Sequence, residues 1–258
     1  MGSLSYGYDP LGRRTQVWGV FARTGLPQPV ASAAYDTANE LLQWNGQLFA
    51  YDLNGNMTSD GSNTYAWDAR NQLSQVNAVS FQYDAAGRRT KNAVGNTQLY
   101  DGADSVQELS GTTVLSNRIT GGVDEFFNRT ESGAGNGYTP LTDALGSTIA
   151  MVNSSGSITT SYVYDPFGNT TISGSNTNQF QYTGRESDGT GLYYYRARYY
   201  NTQIARFISE DPLGFDGDDA NFYSYAGDDP VDFADPSGMF RGRGKHKTTE
   251  PGGLEQVC

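Results

Sequence analysis

The chain has 258 residues, a formal net charge of −11 and a pI of about 4.4, so its body repels the phosphate backbones whose counterions a basic protein releases on binding. Its single histidine, His246, and single cysteine, Cys258, both fall near the C-terminus; the rest of the chain therefore has no base for a Ser-His-Asp or Cys-His arrangement, no Cys/His zinc site and no disulfide. No apolar run approaches the ~20 residues of a bilayer-spanning helix and no apolar signal region opens the chain, so neither nucleic-acid binding nor membrane insertion is expected of this segment.

In chain order, Met1-Gly2-Ser3 leads straight into SYGYDPLGRR (5–14), which reads as the middle of a repeat and predicts a piece of a larger protein. An aromatic-Asp pair then recurs at Tyr35-Asp36, Tyr51-Asp52, Trp67-Asp68, Tyr83-Asp84 and Tyr100-Asp101, in steps of 16, 16, 16 and 17 residues. That period suits a hairpin of two short strands and their turns. Gly55 and Gly87 follow their aspartates by three, as a type I turn closed by a left-handed glycine requires. Phe81 and Tyr83 alternate with Gln82 as strand residues do. The Ala-rich stretch 31–44 has helical composition, but the repeat register assigns it to a hairpin.

Residues 102–137 drift from the period, and SGAGNG (132–137) reads as a flexible loop. Order returns over 142–171, with Asp143 to Ser147 and Tyr164 to Gly168 as turns. GLYYYRARYYN (191–201) reads as strands in which Arg196 and Arg198 stack on rings; an aromatic platform for sugar is the alternative. Two Asp-Pro-x-Gly turns follow, Asp211 to Gly214 and Asp235 to Gly238. In each, Asp accepts backbone hydrogen bonds, Pro presets φ and Gly takes the left-handed position. Between them Asp216, Asp218 and Asp219 cluster without an EF-hand pattern, so a solvated acidic loop is expected and no metal site. After Met239 the composition changes to RGRGKHKTTEPGGLEQ, which suggests that the folded body stops there. Residues 240–258 are net +2, the mark of a solvated basic tail.

With histidine and cysteine excluded, carboxylates remain as the chemistry-bearing groups. Two held close together share a proton and divide into an acid and a base. Arg206, five residues before Asp211, is the cation the spacing offers as their partner.

RFISEDPLGF (206–215), NFYSYAGDDPVDFADPSGM (221–239) and YTGRESDGTGLYYYRARYY (182–200), together with the YDxxG units, resemble the C-terminal core of RHS-repeat (YD-repeat) proteins. That group includes the C component of bacterial ABC toxin complexes. The resemblance implies an all-β fold: a YD-repeat β-hairpin spiral forming the C-terminal part of a hollow RHS shell, with a short irregular tail. It implies YD-repeat hairpins over 1–137, a C-terminal core-associated domain over 138–239 and a basic tail over 240–258. It further implies a shell that encloses a C-terminal toxin in cis and releases it by single-turnover aspartyl autoproteolysis. Asp211 and Asp235 would be the catalytic pair, and the cut would fall between Met239 and Phe240, without cofactor. An upstream shell or toxin-complex component is the expected partner, and a secreted or cell-surface location is expected. Two features depart from the family pattern: the twenty residues between the two turns exceed its usual spacing, and Asp228 stands where Asn is common. The 19 residues after Met239 are too few for an unstapled folded toxin. The rival reading is a non-enzymatic extracellular or surface scaffold that binds carbohydrate or self-associates through open sheet edges.

Overall fold

A computed structural model describes residues 2–11, 13–22, 27, 29–122, 124–132, 137–175, 178–217, 219–239 and 242–243. Aspartate builds the repeat turns at Asp36, Asp52, Asp68 and Asp84 in the same way. Asp52 Oδ1 accepts the amides of Asn54 at 2.9 Å and Asn56 at 3.0 Å, while Gly55, at φ 71°, donates to the Asp52 carbonyl. Asp84 repeats this with Ala86, Arg88 and Gly87. Asp68 repeats it with Arg70 and Gln72, and there Asn71 takes the left-handed position at φ 56°. Asparagine does so with less penalty than most side chains.

From Tyr51 to Tyr100, the aromatic before the repeat aspartate fastens one repeat to the previous one. Trp67 Nε1 donates to the Met57 carbonyl at 2.8 Å, and Tyr83 Oη donates to the Leu73 carbonyl at 2.7 Å. Tyr100 Oη donates to the Arg89 carbonyl at 2.8 Å, and the Leu41 amide donates to Tyr51 Oη at 3.1 Å. A buried ring with a polar tip needs such a partner, and the repeat supplies it about ten residues back each time.

All strand pairings are antiparallel. The hairpins Ser5–Tyr8 with Arg14–Trp18, Ala33–Tyr35 with Leu41–Trp44, Ala50–Tyr51 with Met57–Ser59 and Tyr65–Trp67 with Leu73–Val76 lie in separate small sheets. A ten-stranded meander then runs from Gln82–Tyr83 to Thr170–Gly174, each strand beside its chain neighbour. Its strand Gly137–Thr142 pairs with Phe126–Glu131, so the sheet passes residue 137 without a break. The Ala-rich stretch is a hairpin, as the register predicts. The drift over 102–137 comes from lengthening strands, Asp104–Ser110 and Thr113–Thr120. Most of the predicted SGAGNG loop, residues 133–136, lies outside the described residues, and Gly137 is already in a strand. Among the described residues the only helical segments are short 3-10 turns.

A four-stranded sheet, Glu186–Ser187, Leu192–Tyr195, Arg198–Asn201 and Arg206–Phe207, lies between two cores because both of its faces are aromatic. Leu192, Tyr194 and Tyr199 pack with Leu41, Met57, Leu73 and Phe81 of the repeats. Tyr193, Tyr195 and Tyr200 face the other way, against Met151, Tyr162, Tyr164 and Tyr225. Burying Leu41, Met57 and Leu73 completely contributes about 1.5–3 kcal/mol each. The aromatic run is therefore a double-faced core strand pair. Its five tyrosines are all buried, so it presents no sugar platform, which corrects that alternative.

Candidate functional site

The site grows from the tight turn between Tyr195 and Arg198, which are paired across the strands Leu192–Tyr195 and Arg198–Asn201. The second Asp-Pro-x-Gly turn is fastened onto it. The Ala197 amide donates to the Ser237 carbonyl at 3.2 Å, and Arg196 Nη1 donates to the Pro236 carbonyl at 2.5 Å. Gly238, at φ 70°, comes so close that a β-carbon there would stand 2.3 Å from the Tyr195 carbonyl oxygen. Only glycine meets both conditions.

Arg198 projects from this turn into the space between the two motif aspartates. Its Nη2 lies 2.8 Å from Asp211 Oδ2 and 3.3 Å from Asp235 Oδ2. The two carboxylate oxygens are thus no farther apart than the sum of those lengths. Arg198 Nη1 donates to the Phe222 carbonyl at 2.8 Å, Nε donates to the Gly238 carbonyl, and the guanidinium stacks 3.7 Å from the centre of the Phe207 ring. Of the two arginines expected to stack in this run, Arg198 does so and also bridges the carboxylates, while Arg196 pairs with Asp104 and Asp124 instead.

Each aspartate spends its other oxygen on its own turn. Asp211 Oδ1 accepts the Leu213 amide at 2.8 Å. Asp235 Oδ1 accepts the amides of Gly238 at 2.8 Å and Met239 at 3.1 Å, and the Ser237 hydroxyl at 3.2 Å. This is the YD-turn chemistry reused, with Oδ2 left to meet the guanidinium. Arg198 and Asp235 are buried. One cation beside two carboxylates in a poorly hydrated place leaves an excess of negative charge, which favours holding a proton. Burial pushes the Asp211 carboxyl above its ordinary value, against the opposing pull of Arg198. Burial likewise lowers the Arg198 guanidinium, with Asp211 and Asp235 opposing.

A cavity of about 40 Å³ lies at this cluster, lined by Arg198, Asp211, Gly217, Asp219, Asp235 and Met239 among others. It has room for water and none for a separate substrate. Asp211 and Met239 also border a larger space of about 740 Å³, shared with Tyr100, Tyr194 and Arg88.

Asp211, Asp235 and Met239 therefore come together, whereas Arg206 points elsewhere. Its Nη2 donates to the Asn39 carbonyl and to Asn221 Oδ1 at 3.1 Å, between the rings of Tyr35 and Tyr223. The cation at the carboxylates is Arg198, which is close through the fold and not through the chain. Phe240 lies outside the described residues. Asp228 has φ 60° and accepts a hydrogen bond from the Ser224 hydroxyl at 3.3 Å; Asn and Asp both suit that backbone. Among the described residues no cluster of three or more His, Cys, Asp or Glu side chains suits a metal ion. No helix of the described residues is long and apolar enough to cross a membrane.

A family profile described as Teneurin YD-shell matches residues 5–231. The chain is 36% identical over 258 residues to the tRNA3(Ser)-specific nuclease WapA of Bacillus spizizenii, covering 91% of this chain and 11% of that protein. It is 37% identical over 82 residues to toxin subunit YenC2 of Yersinia entomophaga, covering 30% of this chain and 8% of that one. Among solved structures it is similar to TcdB2-TccC3-Cdc42, with a TM-score of 0.63, 19% identity, and coverage of 93% of this chain and 17% of that one. The chain thus spans only a small part of the relatives it matches. The tyrosine-aspartate turns, the aromatic ties between repeats and the extent of the profile match together make this chain a member of the YD-shell (RHS-repeat) family.

Proposed function

We propose that this chain is the C-terminal part of a YD-repeat shell that hydrolyses its own Met239–Phe240 peptide bond and so releases the polypeptide that follows. The observation that carries this reading is the Asp211–Arg198–Asp235 bridge, in which Asp235 also holds the amide of Met239. In the proposed reaction Asp211 takes a proton from water as the water oxygen attacks the Met239 carbonyl carbon. The Asp pair supplies a proton to the carbonyl oxygen, and its titration belongs to both residues. Collapse breaks the carbon–nitrogen bond, the departing nitrogen takes up a proton, and the products are a Met239 carboxylate and a Phe240 amine. Tethering supplies the substrate at an effective concentration of up to about 10⁵ M, so the reaction needs no pocket for a separate substrate.

Relatives named as a tRNA nuclease, a toxin subunit and a double-stranded DNA deaminase toxin support reading this region as a casing joined to different activities. On this reading the partners are a toxic segment in cis and further toxin-complex components, and the location is outside the cell or at its surface. The test is the intact mass of the purified chain before and after incubation at neutral and mildly acidic pH. A fragment ending at Met239 supports the proposal. A chain that keeps all 258 residues, or one that breaks only at Asp235–Pro236, counts against it.

A further inference from the structure

Gly217 closes the short 3-10 turn Gly214–Gly217 beside the first motif. A β-carbon built on it would stand 3.1 Å from Asp211 Oδ2, 3.3 Å from Asp211 Cγ and 3.4 Å from the Met239 carbonyl oxygen. The missing side chain therefore borders both the carboxylate and the carbonyl. Its backbone lies outside the left-handed region, so the turn itself does not demand glycine there. This differs from Gly214 and Gly238, whose φ angles are 55° and 70°. Conformation accounts for those two glycines and leaves Gly217 unexplained.

A water molecule that gives its proton to Asp211 and attacks the Met239 carbonyl carbon needs a hydrogen-bond distance of about 2.7–3.2 Å to the carboxylate and space of its own beside the carbonyl. The cavity of about 40 Å³ lined by Asp211, Gly217 and Met239 offers that space. We propose that Gly217 is a positioning residue for hydrolysis: its bare α-carbon keeps open the gap through which a single water reaches the Asp211 carboxylate and the Met239 carbonyl. This inference rests on the proposed self-cleavage. It adds that access of water to one face of the peptide is set by the absence of a side chain at 217. An alanine there makes no contact shorter than 3.1 Å, so it is accommodated by small shifts and takes up the room of the water. Valine fills the gap completely.

The test is the first-order rate at which the fragment ending at Met239 forms in the full chain, for wild type, Gly217→Ala, Gly217→Val and Gly122→Ala. Gly122 is an exposed glycine outside the left-handed region whose β-carbon would meet only the Glu125 side chain, at 3.4 Å or more, and its variant should cut at the wild-type rate. Gly217→Ala should cut at least about tenfold more slowly, since misplacing a reactant by ~1 Å can cost up to ~100-fold. Its thermal midpoint and the shape of its pH–rate profile should be those of wild type. Gly217→Val should not cut. Gly217→Ala cutting at the wild-type rate overturns the water gap, as does a slower rate accompanied by a lowered thermal midpoint or a displaced pH profile. A wild-type chain that stays whole removes the self-cleavage reading and this inference with it; a wild-type chain that cuts while Gly217→Ala keeps pace removes the inference alone.

Discussion

Asp235 Oδ1 accepts the backbone amide of Met239 at 3.1 Å, so a carboxylate of the candidate site and the residue whose carbonyl the pair is proposed to protonate belong to one turn. The turn that fixes the aspartate also fixes its substrate. Asp235→Asn keeps an oxygen for the amides and loses the charge and the ability to carry a shared proton. We expect its cleavage rate to fall on the order of 100-fold or more with the fold retained, as read by intact mass beside circular dichroism.

Arg198 holds both carboxylates and two carbonyls from a buried position. Arg198→Ala leaves two acidic side chains without their common cation. Breaking a buried pair in this way costs about 3–5 kcal/mol. Denaturant unfolding should show that loss, and cutting should stop. Arg198→Lys keeps a charge without the planar fork and should fall between the two in both measurements.

Gly238 and Gly95 both have left-handed backbones, at φ 70° and 82°, but only Gly238 is crowded. A β-carbon at 95 meets nothing nearer than 3.7 Å, against 2.3 Å from a carbonyl oxygen at 238. Gly95→Ala should cost about 1–2 kcal/mol from backbone strain alone. Gly238→Ala should cost more and should also displace Met239. Paired unfolding curves check the order.

Arg89 is fully buried between Glu186 and Asp188, joining the repeats to the central sheet. Two carboxylates share that one cation, and burial pushes the Asp188 carboxyl up to about 6. A carboxyl raised in the folded state binds more protons there than in the unfolded chain between its ordinary value and about 6. Stability contributed by this group should therefore be full below the ordinary value and decline as pH rises toward about 6, then level off. Asp188→Asn should flatten that part of the profile, as measured by thermal midpoints across a pH series.

The repeats are legible in the sequence because their chemistry is local. Tyr83, Asp84 and Gly87 lie within five residues and make the tie and the turn themselves, so spacing alone reveals the hairpin. The pairing of Asp211 with Asp235 enters through family resemblance, since nothing within either turn points to the other. Arg198 is not legible as their partner. It reaches Asp211 only because the turn at Tyr195–Arg198 and the first Asp-Pro-x-Gly turn are folded against each other, whereas Arg206 is the nearer cation along the chain. Gly217 escapes notice for a related reason: a glycine in an acidic loop reads as a flexible turn until the neighbours of its absent β-carbon are known.

The most direct measurement is cleavage in water enriched in oxygen-18, read as the mass of the fragment ending at Met239 from wild type and from Asp211→Asn. The account predicts that wild type yields this fragment with a single heavy oxygen in its new terminal carboxylate, and that Asp211→Asn stays whole. A wild-type chain that remains intact, or an Asp211→Asn chain that yields the same fragment at the same rate, would contradict it.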